Sequence, residues 1–114
     1  MTAPQQPPNV TVAASSNRSG TITVRATDQG MPVEITIDRS EYRYGAEALA
    51  AEILRLTKRS TVVARARRRE LLAEMGMAPE TLDRLGLPTR QAAVDELDRM
   101  DDEDTGPTSW MRRV

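Results

Sequence analysis

Cysteine, histidine and phenylalanine are all absent from these 114 residues, and each absence closes off a class of explanation. Without cysteine there is no disulfide and no thiolate nucleophile. Without histidine the commonest metal ligand is missing, as is the one side chain that ordinarily titrates near neutral pH. A conventional metal centre or catalytic triad therefore has no residues to draw on, and neither a cofactor nor catalysis is expected. With no phenylalanine, one tryptophan and two tyrosines, burial falls to aliphatic side chains and methionine. A chain of this length makes one domain with a modest core, for which self-association is a natural remedy. No stretch approaches the roughly twenty apolar residues of a membrane-spanning helix. The start also lacks a basic segment followed by an apolar run, so the expected location is the cytoplasm.

Charge is nearly balanced at −1, which does not suit the strong global field of a dedicated nucleic-acid binder. The balance hides a segregation. Arg55, Lys58, Arg59, Arg65, Arg67, Arg68 and Arg69 fall in one stretch, whereas acids gather at Asp95, Glu96, Asp98 and residues 101 to 104.

Hydropathy patterning divides the rest. Residues 1 to 9, rich in Pro and Gln, cannot bury much apolar surface and are expected to be disordered. "NVTVAAS" begins a short edge strand. In "GTITVRAT" the alternation sets Ile22, Val24 and Ala26 on one face, and "MPVEITID" does the same for Val33, Ile35 and Ile37. The Gly of "DQG" between them predicts an antiparallel hairpin, with Pro32 at a strand's first residue or on its edge.

From about Ala46 the positions Leu49, Ile53, Leu56, Val63 and Ala64 recur at helical spacing until Met75 and Gly76. Some thirty residues make a helix of about 45 Å, longer than this small sheet can cover. Arg55, Lys58, Arg65 and Arg69 cluster opposite the apolar stripe, but Arg67 falls on it, so the dry face ends near Ala64. Pro79 and Gly86 bound a short helix. Thr89 then caps another, with Ala93, Leu97 and Met100 as its apolar stripe. Residues 10 to 100 are read as the α+β domain and residues 101 to 114 as an acidic, Trp-containing flexible tail.

Three readings of the arginines stay open: a solvated or intramolecular face, a protein-binding surface, or a phosphate-binding stripe. Aromatic interleaving and a helix-turn-helix pattern are both missing. The carboxylates at 101 to 104 lack a dry pocket to separate their pKa values, and "DDEDTG" lacks the spaced ligands of a hard-cation loop. Tyr42 and Tyr44 are expected to pack at the sheet-to-helix junction. Trp110 is an aromatic anchor for either its own domain or a partner.

"GTITVRATDQGMPVEITID" followed by "ALAAEILRLTKRSTVVARARRREL" resembles the YbaB/EbfC-like domain. The further features "LAAEI" at 49 to 53 and "LPTRQAAVDEL" at 87 to 97 bring it nearest to the EspH and EspD accessory proteins of type VII (ESX) secretion. The resemblance implies a small antiparallel sheet with one long helix and short C-terminal helices, a homodimer, and a cytosolic chaperone-like helper that binds a secretion substrate. Tyr42 and Tyr44 each reach Ala four positions on, so an export signal of the Tyr-x-x-x-Asp/Glu type is absent and the likeness is to a helper. The alternative is a YbaB-like, nucleoid-associated DNA-binding protein. The core and dimer seam is assigned to Leu49, Ile53, Leu56 and Val63. Partner contact, or DNA contact in the alternative, is assigned to Arg55, Lys58, Arg65, Arg68, Arg69 and Trp110.

Overall fold

The computed structural model describes the backbone of residues 9–111 and the side chains of residues 9–102. Of the N-terminal segment read as disordered, residues 1–8 lie outside the described residues, and so does the side chain of Trp110. Three strands, β1 (Val12–Ser16), β2 (Ile22–Thr27) and β3 (Pro32–Ile37), make an antiparallel sheet in the order β1-β2-β3. A 3-10 helix (Arg39–Tyr44) then leads into α1 (Ala46–Glu74), α2 (Pro79–Arg84) and α3 (Arg90–Met111).

The hairpin forms where the sequence places it. Gly30 turns with φ 88°, and the buried Thr27 hydroxyl accepts from the backbone N–H groups of Gln29 and Met31 at 3.1 and 3.2 Å. Pro32 is the first residue of an edge strand, where its missing donor does least harm. A bulge between Arg25 and Ala26 shifts the register, so that Val24 pairs with Ile35 but Ala26 with Pro32.

α1 starts after Gly45 and stops at Gly76, whose φ of 99° suits the left-handed end of a helix. The N–H of Met77 returns to the Leu72 carbonyl at 3.0 Å and that of Gly76 to Ala73 at 3.0 Å, satisfying carbonyls that the last turn exposes. Its dry face packs on the sheet: Leu56, Ile22 and Val24 are fully buried, with Ile37, Leu49 and Ile53 against them. The buried Ser60 hydroxyl donates to the Val24 carbonyl at 2.9 Å, tying helix to strand at the centre of the core.

The cover is incomplete. α1 packs on β1 and β2, because a helix about 10 Å across spans roughly two strands spaced about 4.8 Å apart. Ile35 pairs with Val24 and shares its face, yet remains 43% exposed, whereas Val33, expected inward beside it, is the residue skipped at the bulge, loses its place in the alternation and is 52% exposed. Only Ile37 of that trio reaches the core cluster.

The far half of α1, which overshoots the sheet, is met by its own chain. Leu82 of α2 is fully buried, and Leu72, Ala66 and Ala93 are nearly so. The Thr89 hydroxyl accepts from the Ala92 N–H at 3.1 Å and caps the start of α3. The helical backbone of α3 passes Met100, where the sequence reading drew the boundary of a flexible tail, and continues to Met111. Asp101, just beyond that boundary, accepts a hydrogen bond from Arg59 and so stays against α1.

Candidate functional site

The arginines of α1 are largely turned to the chain's own use. Arg69, with its side chain only 14% exposed, donates to the Leu87 carbonyl at 2.6 Å and to Asp83 at 2.8 Å. Arg65 donates to the Gly86 carbonyl. These two guanidinium groups thus bind carbonyls of the turn that follows α2 and hold that turn against α1. Arg59 pairs with Asp101, and Glu70 receives Arg90 at 2.6 Å, so that ion pairs hold α3 along α1 at two levels. Arg67, the cation on the apolar stripe, reaches past the end of the core to the Val12 carbonyl at 3.3 Å.

Of the cations assigned to partner contact, Arg55 pairs with Glu52 one turn back at 2.7 Å. Lys58 is exposed and Arg68 half-buried. Arg65 and Arg69 belong to the α2 junction, on which Arg55 and Lys58 do not border, so these residues do not make one open surface. The assigned seam is also divided. Leu49, Ile53 and Leu56 face the sheet, while Val63 turns to α3 and lines a hollow with Ala66, Ala93 and Leu97.

What the sequence reading passed over is an apolar flank on the uncovered side of the sheet. Met31 of the hairpin turn and Ile35 of β3 are 65% and 43% exposed, and Leu54 of α1 is 55% exposed, while Val33 falls at the bulge and does not share the face of Ile35. Leu54 shares a hollow of about 460 Å³ with Gly30 of the hairpin turn, Lys58 and Met100. The signal was present in the count of elements, because three strands were set against one helix. Tyr42 and Tyr44, expected to pack at the junction, sit in the 3-10 helix with more than half of each ring side chain exposed. Arg43 lies over the Tyr44 ring, 4.9 Å from its centroid.

Asp38 begins that 3-10 helix. It accepts from the Ser40 N–H at 2.8 Å and from the Ser40 hydroxyl at 2.7 Å. These hydrogen bonds, the backbone one foremost, hold its carboxyl below the ordinary aspartate value. That is the work of a cap rather than of a general acid. Among the described residues no cluster of three His, Cys, Asp or Glu side chains could hold a metal ion. No helix among them is long and apolar enough to cross a membrane.

No protein-family model, curated protein or solved structure matches the chain. What the fold defines is a class: a small α+β domain whose three-stranded sheet is covered by one long helix on two strands and left bare on the third.

Proposed function

We propose that this chain is a non-enzymatic cytoplasmic accessory protein that works as a homodimer and binds a partner protein, a type VII secretion substrate. One observation carries the reading. The apolar flank of β3 and α1, with Ile35 and Leu54 in the open beside Met31 of the hairpin turn, is left uncovered by every element among the described residues. Apolar surface of this kind, grouped on one side, is the ordinary mark of a protein-binding surface.

The nucleic-acid reading needs the cations of α1 free to meet phosphates. Arg65, Arg67 and Arg69 instead donate to carbonyls of their own chain, and Arg59 meets an acid, which leaves that reading without an observation in its favour. The test is recovery of tagged protein from its native cell under nuclease treatment, beside a Leu54→Asp variant. The expected result is one or two secretion substrates held by the parent chain, lost from the variant, and degraded in cells lacking the chain. Duplex DNA binding that weakens steeply with added salt, with no protein retained, would overturn the proposal.

A further inference from the structure

The apolar flank is bordered by a sheet edge, and the hydrogen-bond pattern says which backbone groups that edge offers. The Asp38 N–H donates to the Thr21 carbonyl beside β2 at 2.7 Å. In an antiparallel pair the residues bonded to the neighbouring strand alternate, so Thr36, opposite Thr23, and Glu34, opposite Arg25, also turn their N–H and C=O groups to β2. β3 is the last strand of the sheet, and Ile35 and Ile37 turn theirs to the outside. Two guards of a sheet edge are present, but both stand at the start of the strand: Pro32 withholds a donor, and the bulge skips Val33. From Glu34 onward the edge has neither. The strand carries no lysine, and its one charge, Glu34, is paired with Arg25 at 3.2 Å.

From this geometry we infer that the bound protein presents an extended segment, which adds to the sheet as a fourth strand antiparallel to β3. The inference rests on the partner-binding reading and states the form in which the partner is held. The segment's residue opposite Ile35 exchanges two backbone hydrogen bonds with it, and the residue two places earlier does the same with Ile37. An amphipathic helix is the poorer occupant, because its backbone groups are already bonded within the helix and leave the edge unused.

The surroundings state the segment's chemistry. The side chains of these two residues fall on the helix side of the sheet, where Ile35 and Leu54 stand open, so both are apolar. The next residue on that face, two places after the one opposite Ile35, comes to the hairpin end of the strand. There the hollow of about 460 Å³ shared by Gly30, Leu54 and Met100 takes a third apolar side chain. On the other face one residue of the segment stands opposite Glu34. It is basic, because opposite charges across neighbouring strands attract and β3 has no cation of its own to repel it. The ligand class is a short run of alternating apolar and polar residues with a cation between two apolar positions.

The probe is a library of short random peptides displayed on phage and selected against the full chain, the best sequences then being made as synthetic peptides. Selected sequences are expected to alternate apolar and polar residues, with Lys or Arg between two apolar positions. Adding such a peptide should slow amide exchange at Ile35 and Ile37, read by NMR. N-methylation of the peptide at the residue opposite Ile35 should weaken binding about tenfold. Ile35→Pro removes only an outward N–H; it should keep the circular dichroism of the parent and lose the peptide to a similar degree. Selected sequences with apolar residues at helical spacing, or binding that leaves both amides exchanging freely and tolerates the N-methyl group, overturn strand addition. If Ile35→Pro recovers the same secretion substrates from the cell as the parent, strand addition falls while the partner-binding reading stands. A parent chain that recovers no protein overturns both.

Discussion

The two edges of the same small sheet are finished in opposite ways. β1 is short and built of small residues, Val12, Ala13, Ala14, Ser15 and Ser16, and it lies under α1. Its outward Val12 carbonyl is taken by Arg67, and beyond its start the Thr11 N–H donates to the Asp28 carboxylate at 2.7 Å. β3 carries larger aliphatics, lies outside the cover of α1, and leads into the 3-10 helix with its exposed Tyr42 and Tyr44. The lesson is that the bare edge is not a general shortage of packing. The chain closes one side with a side chain drawn from its helix and leaves the apolar side open.

The sharpest way to test that contrast is to truncate an aliphatic on each side of it. Leu56→Ala removes a fully buried side chain from between Ile22 and Val24 and should cost about 2–5 kcal/mol in urea unfolding. Ile35→Ala, at 43% exposure, should cost the monomeric state under about 1 kcal/mol, because most of what it removes already faces water. Equal losses would mean that β3 is covered after all.

Next in size is Arg69→Ala. It leaves the Leu87 carbonyl without its donor and loosens α2 from α1, an expected loss of about 1.5–3 kcal/mol by the same measurement. Hydrogen exchange in α2 and the first turn of α3 should rise before the sheet is touched. Arg67→Ala should do less, about 0.5 kcal/mol or below, since its bond to Val12 is long and exposed. Its sign is faster exchange along β1, which makes the closed edge resemble the open one.

The smallest effect belongs to Asp38. Because the folded chain holds its carboxyl below the ordinary value, its contribution to stability is complete above the unfolded aspartate value. It is then lost as pH falls through the lower, folded value. Asp38→Ala and the parent chain should therefore differ near neutral pH and converge in strong acid. A difference that persists at the lowest pH would show that the Ser40 hydrogen bonds do not depend on the charge.

Much of the architecture was legible in the residues because local rules govern it. Alternation gave β2 and β3, and "DQG" gave the turn. Gly45 and Gly76 bracket a helix that runs from Ala46 to Glu74, and Thr89 caps α3. The position of Arg67 on the apolar stripe did not mark the end of the dry face, since Ala66 and Leu72 beyond Ala64 are buried as well. The candidate surface was far less legible. Alternation put Val33 and Ile35 on one face, but the bulge takes Val33 out of that pattern, and nothing local says whether anything covers Ile35. The wheel likewise shows where Arg65 and Arg69 point without showing that the end of α2 returns to meet them.

Periodicity, turn glycines and capping residues act over a few positions along the chain, so the sequence by itself determined the elements, their order and the absence of cysteine or histidine chemistry. Which arginines are spent inside the fold and which apolar side chains stay in the open depended on contacts between residues as far apart as Arg59 and Asp101 or Arg67 and Val12. Only the tertiary structure decided those, because a helix about two strands wide laid on a sheet of three must leave one strand uncovered, and nothing local in the sequence says which.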